Sequence, residues 1–199
     1  MSNIDSLFVK PLDKALYNEN LKQKQYFSQR LIESFGDKEA FAQVVIFIGT
    51  AWGVIRTVAT LKAPEAEEQR PKYKDKYEFA YHLWKVKGDI KEGKYKFYGT
   101  FESKICCLIN WKDYKIICDS FVRKNLYAIN RMKEFHFTEV CFKDNIDGAM
   151  WKNVMDDFFD KYEFSVEEYP KLDAVLCVED PKLERIKKIL RNRIRPKKS

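Results

Sequence analysis

The chain has 199 residues, with 37 Lys and Arg against 30 Asp and Glu, and a formal net charge of +7. Its 15 Phe and 11 Tyr residues exclude a disordered polypeptide, because disordered chains contain too few large apolar side chains to form a core. The charge is uneven, since residues 181–199 hold nine basic side chains and one acidic side chain. The net charge of the whole protein therefore gives no general argument for nucleic-acid binding.

Residues 1–39 are predicted to form a loosely ordered arm followed by an amphipathic helix. The helix covers residues 21–35, where apolar side chains recur at every fourth position. These side chains are Phe27, Leu31 and Phe35. Gly36 is placed to end this helix, and Asp37 is placed to cap the next one. The segment that follows therefore begins with ordinary helix-start signals.

Residues 40–61 are predicted to form a single transmembrane helix. The segment has one charged residue, and as an α-helix it is about 33 Å long, enough to cross a hydrocarbon core of about 30 Å. Small and polar side chains fall on one side of this helix, including a GxxxG pair that favours close contact with another membrane helix. The predicted helix-packing residues are Ala42, Gly49, Gly53, Arg56 and Thr60. The alternative is a buried helix of a soluble domain.

Residues 62–76 predict a stiff charged linker, and residues 77–180 predict an α+β domain. Alternating or continuous apolar patterns suggest strands at 77–86, 94–101, 105–111, 114–118, 122–130, 134–142 and 172–178. A helix is predicted from Asp144 or Asn145 to Tyr162. The predicted fold class is therefore α+β: an N-terminal amphipathic helix and a single transmembrane helix, followed by an antiparallel-sheet domain with one or two covering helices.

Residues 181–199 predict a basic C-terminal helix and tail. A narrow apolar stripe is flanked on both sides by cations, a pattern that suits an anionic lipid surface, an acidic subunit or nucleic-acid phosphates. For a protein already held in a membrane, the lipid surface or a neighbouring acidic subunit is the expected partner. The predicted contact residues are Arg185, Lys187, Lys188, Arg191, Arg193 and Arg195.

No pattern in the sequence indicates catalysis. Phosphate-binding glycine motifs and the GxSxG motif are absent, and the only two histidines, His82 and His136, lie in predicted strands among aromatic residues. The five cysteines have no CxxC spacing, so buried thiols in a reducing compartment are expected. We therefore expect no cofactor, no metal site, no small-molecule substrate and no enzymatic activity.

The function predicted from these features is that of a non-enzymatic single-pass subunit of a larger membrane complex, with its transmembrane helix packed against other subunits. A respiratory-chain or import complex of the mitochondrial inner membrane is the expected setting, with the C-terminal domain in the matrix, and the endoplasmic reticulum is the alternative. The second predicted function is a soluble, basic-tailed α+β module that binds nucleic acid, with residues 40–61 as a core helix. The first prediction makes nucleic acid an unlikely partner.

Overall fold

A computed structural model describes residues 11–52, 73–131, 135, 137, 148–177 and 183–193. The helices are α1 (Pro11–Glu33), α2 (Lys38–Ala51), α3 (Lys76–Lys91), α4 (Thr100–Ile109), α5 (Trp111–Tyr114), α6 (Ser120–Asn130), α7 (Gly148–Tyr162), α8 (Tyr169–Leu176) and α9 (Leu183–Arg193). Short 3₁₀ turns occupy Ser34–Gly36 and Val166–Glu168. Within these described ranges no residue forms a strand, so the predicted α+β fold is wrong and the observed fold is helical.

The predicted strands correspond to helices or to irregular segments. Residues 77–86 lie in α3, 105–109 in α4, 122–130 in α6 and 172–176 in α8, whereas 94–98 and 115–118 have no regular structure. Of the predicted strand 134–142, only Phe135 and Phe137 are described, and neither is in a strand. The remaining residues of that segment lie outside the described part of the chain.

Helix α3 shows why the helical arrangement prevails over the alternating pattern. The Asp75 side chain caps the helix by accepting the N–H groups of Tyr77 and Glu78 at 2.8 and 2.9 Å. Apolar residues at helical spacing then enter the core, where they are 2% exposed or less: Phe79, Leu83 and Ile90. A strand would have placed Tyr77 and Phe79 on the same face, but in the helix Phe79 is buried and Tyr77 is 44% exposed.

Helix α4 lies at the centre of the fold and is buried on nearly every side. Apolar and polar side chains alike are enclosed from Phe101 to Leu108, with Lys104 partly exposed. Helices α1 and α3 pack against it. The Ser28 hydroxyl of α1 donates to the Leu108 carbonyl at 2.5 Å, which joins the two helices through a side chain. A helix enclosed on nearly every side is stable only when other helices cover it.

Helix α2 contains the first half of the predicted transmembrane segment. It has 14 residues, fewer than the roughly 20 needed to span a bilayer, and residues 53–61 lie outside the described part of the chain. Its apolar side chains, including Phe41, Val45 and Ile48, are buried against this chain's own α1 and α3. None of the described helices is long and apolar enough to cross a membrane. The predicted transmembrane helix and the predicted single-pass location in the inner mitochondrial membrane or the endoplasmic reticulum are therefore wrong.

The C-terminal helices close the fold around α1. Helix α8 packs against α1, α5 and α6, and α9 packs against α6. The helical prediction for the basic C-terminal segment is confirmed over Leu183–Arg193, where Ile186, Ile189 and Leu190 are 5% exposed or less. This basic helix is therefore part of the folded core on its apolar side.

Helix α7 fixes the irregular segment 94–98 through a close backbone contact. The Gly148 N–H donates to the Phe97 carbonyl at 2.8 Å. A Cβ atom at position 148 would lie 2.8 Å from the Phe97 nitrogen and 2.9 Å from its oxygen, closer than real Cβ atoms approach backbone. Only glycine fits here without a shift of the Phe97 backbone.

Candidate functional site

The most enclosed charged groups form an ion pair between α1 and α8. The Lys24 Nζ atom lies 2.5 Å from Asp173 Oδ2, and the two side chains are 5% and 0% exposed. Asp173 also accepts the Ile117 N–H through Oδ1 at 2.8 Å. Burial is the largest single effect and disfavours the charged form of Lys24, but the charge and hydrogen bond of Asp173, together with the nearby Cys177 and Asp119, raise the pKa of the lysine. The pair therefore connects α1, α8 and the segment that contains Ile117.

A cysteine and a second carboxyl group extend this buried centre. The Cys177 thiol donates to Asp119 Oδ2 at 3.4 Å and to Asp173 Oδ2 at 3.7 Å. Burial and then the nearby Asp173 charge raise the pKa of Cys177 well above its ordinary value, and burial also raises the pKa of Asp119. A thiol held in its protonated form is a poor nucleophile. The centre is suited to holding the fold together rather than to attacking a substrate.

A second polar network lies between α3 and α4. The Glu102 carboxylate accepts the Tyr95 hydroxyl at 3.3 Å, the Tyr73 hydroxyl at 3.5 Å and the Tyr98 backbone N–H. His82 Nε2 lies 3.1 Å from the Tyr95 hydroxyl. Burial, and then the charge of Lys85, lowers the pKa of His82, so the imidazole is neutral at pH 7. Glu102 thus anchors the segment before α4, and the tyrosines and the histidine bond to one another.

A surface of lysines and aromatic rings lies along α3 and the start of α2. Four ammonium groups lie over four rings: Lys38 over Tyr81 at 3.8 Å, Lys87 over Trp84 at 3.7 Å, Lys91 over Phe35 at 5.2 Å and Lys76 over Tyr77 at 5.6 Å. We call these eight residues the lysine–aromatic face. Such cation–π contacts are weak at exposed sites, about 0.5–1 kcal/mol each, so an external anion can compete for the lysines.

The four lysines of this face have no acidic partner among the residues described. Elsewhere in the described structure, other lysines and arginines do form ion pairs, including Lys115 with Asp156 and Arg193 with Glu168. Three carboxylates that lie next to face lysines in the chain already accept hydrogen bonds. Asp37 and Asp75 cap α2 and α3, and Glu39 accepts the Tyr81 hydroxyl at 2.9 and 2.7 Å. The positive charge of the face is therefore available to a ligand.

Basic and acidic residues are unevenly distributed between two segments of the described chain. Residues 73–131 contain 13 basic and 7 acidic side chains, whereas residues 148–177 contain 3 basic and 7 acidic side chains. The lysine–aromatic face lies mainly in the first of these segments. Three of its four lysines thus belong to a chain segment of net positive charge.

Two open grooves flank α1. One of about 460 Å³ lies between α1 and α2 and is lined by Phe27 and the exposed rings of Tyr26 and Phe47. The other, of about 420 Å³, includes Ile32 and Trp111. Such apolar surfaces suit contacts with another protein. No contact or charge pattern in the described residues identifies what covers these grooves.

The structure describes two of the five predicted helix-packing residues. Ala42 and Gly49 of the predicted helix-packing set are buried within this fold, and Gly53, Arg56 and Thr60 lie outside the described residues. They therefore form no exposed helix-packing face in the part of α2 that is described.

The basic residues of α9 are also divided in their roles. Lys187 is 5% exposed and donates to Glu184, and Arg193 donates to Glu168 and lies 4.0 Å from the Phe164 ring. Lys188 and Arg191 are exposed, with the Arg191 guanidinium 5.6 Å from the Phe135 ring. Of the remaining predicted contacts, the Arg185 side chain and the whole of Arg195 lie outside the described part of the structure. The basic helix thus uses part of its charge to stabilise the fold.

The cysteine and histidine residues that the structure describes show no metal-binding arrangement. Cys106, Cys107 and Cys118 are buried free thiols, as expected, while Cys141 and His136 lie outside the described residues. Across the described ranges, no group of three or more His, Cys, Asp or Glu residues could hold a metal ion.

Comparison with known proteins finds no matching protein-family model, no similar curated protein and no similar solved structure.

The lysine–aromatic face was not predicted from the sequence, because the pattern of residues 77–86 predicted a strand. In a strand, Tyr77 and Tyr81 lie on the face opposite Trp84, but at helical spacing the three residues share one side. The signal that could have revealed this arrangement is the Asp75 cap followed by buried apolar residues at positions 79, 83 and 90. The contact of Lys38 with Tyr81 depends on tertiary packing and left no sequence signal.

Proposed function

We propose that this protein is a non-enzymatic nucleic-acid-binding module and that the lysine–aromatic face is its binding surface. The observation that carries the proposal is the set of four lysines with no acidic partner in the described structure, each lying over an aromatic ring. Proteins that bind nucleic acid without sequence preference combine these two elements, with cations for phosphates and rings for bases.

The proposal keeps the second function predicted from the sequence but moves the binding surface. The sequence predicted that phosphates contact the basic C-terminal helix and tail. In the structure, however, Lys187 and Arg193 of that helix form ion pairs with Glu184 and Glu168. The α3 surface offers lysines without such partners together with the exposed ring of Tyr77 and the partly buried rings of Tyr81 and Trp84. The membrane-subunit function is not retained, because it required a membrane-spanning helix.

The test compares binding by two variants of equal net charge. Lys38→Gln/Lys91→Gln removes two cations from the face, whereas Lys22→Gln/Lys188→Gln removes two exposed cations from α1 and α9. We expect the face variant to bind a labelled oligonucleotide of mixed sequence about tenfold more weakly than the wild type, and the control variant to retain most of the affinity. Circular dichroism and thermal unfolding of both variants check that the fold is intact.

Two results would overturn the proposal. One is that the wild-type protein fails to bind the oligonucleotide at low salt. The other is that the control variant loses more affinity than the face variant, which would move the binding surface to the basic C-terminal helix or to α1.

A further inference from the structure

We infer that the lysine–aromatic face binds a single strand rather than a duplex, and that it does so with little sequence preference. This inference rests on the proposed function and names the ligand class of the same surface. It follows from the positions of the aromatic rings along α3, from the order of lysines and rings, and from the side-chain types that the face contains.

The aromatic residues of α3 form a row parallel to the helix axis. Tyr77, Tyr81 and Trp84 are four and three positions apart, so at 100° per residue they lie within about 60° of one another. The ring centroids of Tyr77 and Tyr81 are 6.3 Å apart. From residue 77 to residue 84 the helix rises by about 10.5 Å, so at the 6.3 Å spacing of its first two rings the row has the length of about two to three nucleotides.

A duplex cannot use such a row of rings. Its bases are stacked about 3.4 Å apart and paired, so a protein reaches their edges in the grooves but not their faces. An extended single strand exposes base faces at a larger spacing, and these can stack on aromatic side chains. A ring spacing close to 6 Å therefore fits unstacked bases and not a duplex.

The lysines lie beside the rings, where the phosphates of a bound strand would pass. The ammonium groups of Lys38 and Lys87 lie within 4 Å of the centroids of Tyr81 and Trp84. A base that stacks on one of these rings brings its own phosphate within reach of a lysine. Lys87 then exchanges its 3.1 Å hydrogen bond to the Trp84 carbonyl for the phosphate. Gly88 continues the row beyond Trp84, and a Cβ atom there would have no neighbour within 4 Å, so the backbone is open to a strand.

Sequence preference is expected to be weak because, of the side chains that most often read base edges, the face contains only lysine. Its eight residues are lysine, tyrosine, tryptophan and phenylalanine, with no arginine, asparagine or glutamine to form paired hydrogen bonds with guanine or adenine. Stacking and phosphate contacts are available to every base.

The experiment measures binding of three labelled ligands of equal strand length at one salt concentration: a single strand of mixed sequence, its duplex and an abasic single strand. We expect the single strand to bind about tenfold more tightly than the duplex or the abasic strand. Tyr77→Leu/Tyr81→Leu is expected to weaken single-strand binding by about fivefold or more, with little effect on the abasic strand. Tyr26→Leu, which changes an exposed tyrosine on α1, is the matched control and should leave all three affinities unchanged.

The outcomes separate this inference from the proposed function. Duplex binding as tight as single-strand binding, or abasic binding as tight as either, would overturn the single-strand inference and leave nucleic-acid binding in place. Binding of none of the three ligands would overturn both. If the affinity for a second mixed-sequence strand differs from that for the first by more than about tenfold, the weak sequence preference is contradicted.

Discussion

The ammonium group of Lys24 in α1 lies 2.5 Å from the carboxylate of Asp173 in α8, and both side chains are almost completely enclosed. The two residues are 149 positions apart in the chain. Taking two charges out of water costs free energy that only their mutual contact and additional hydrogen bonds can offset. Each residue therefore depends on the presence of the other.

Removing one member of this pair is expected to destabilise the protein strongly. Lys24→Met leaves the Asp173 charge buried without its partner, and we expect the free energy of unfolding in urea at pH 7 to fall by about 3–5 kcal/mol. Asp173→Asn, which keeps an acceptor for the Ile117 N–H, is expected to cost a similar amount. The exposed residue Lys22 supplies the control, because Lys22→Met should change stability by no more than about 0.5 kcal/mol.

The double variant Lys24→Met/Asp173→Asn distinguishes a buried ion pair from two independent contacts. Because neither charge is then left alone, its loss of stability should be clearly smaller than the sum of the two single losses. Additive losses would show that the two groups do not depend on each other.

Two glycines are expected to respond in opposite directions to the same substitution. Gly148→Ala places a methyl group against the Phe97 backbone and should destabilise the protein by about 1–3 kcal/mol. Gly88→Ala adds a methyl group in open space within α3 and should stabilise it by about 0.5–1 kcal/mol, because alanine favours helix. Thermal or urea unfolding of both variants provides the comparison. Equal effects would contradict the close approach of α7 to Phe97.

The buried Asp119 carboxyl should make stability depend on pH. Burial raises its pKa in the folded state above the value of about 3.9 expected in the unfolded chain. The stabilisation linked to the raised pKa is fully present below about pH 4 and is lost as the pH rises through the folded-state pKa. Asp119→Asn retains a cap for the Val122 N–H but does not ionise.

We therefore expect Asp119→Asn to gain stability relative to the wild type between pH 4 and pH 7. The measurement is the difference in the free energy of unfolding between the two proteins at each pH. A difference that is constant, or that moves in favour of the wild type as the pH rises, would contradict the raised pKa.

The salt dependence of binding should report how many lysines of the face contact phosphates. For single strands, the slope of log affinity against log salt concentration falls by about 0.7 for each phosphate contact that is lost. Lys38→Gln/Lys91→Gln is expected to reduce the slope by about 1.4, whereas Tyr77→Leu/Tyr81→Leu should lower the affinity and leave the slope unchanged. A slope that is the same in wild type and lysine variant would mean that these lysines do not neutralise phosphates.

Local signals in the sequence predicted several helix boundaries correctly. Asp37 caps α2 by accepting the N–H groups of Glu39 and Ala40, as its position predicted. The first helical segment stops at Gly36, and α7 ends at Tyr162. These features depend on residues close together in the chain. Capping residues and helical periodicity are also local, so they predict such features well.

The fold class could not be read from the sequence, because burial on all sides removes the amphipathic pattern. The run from Ile105 to Ile109 has no polar face, and a short apolar run of this kind fits a buried strand as well as a buried helix. The same ambiguity made α2 resemble a membrane helix, since its apolar residues are covered by α1 and α3 in place of lipid. The candidate binding surface was missed for a related reason, because it joins residues of two helices that only tertiary packing brings together.

The packing of α1 against α4 and α8 also bears on how the protein is made. On the ribosome, α1 emerges before α8, which is completed only after residue 176 has been added. At about 5–20 residues per second, the N-terminal helix waits several seconds or more for the partner that covers it. During that time its apolar side stays open to molecular chaperones.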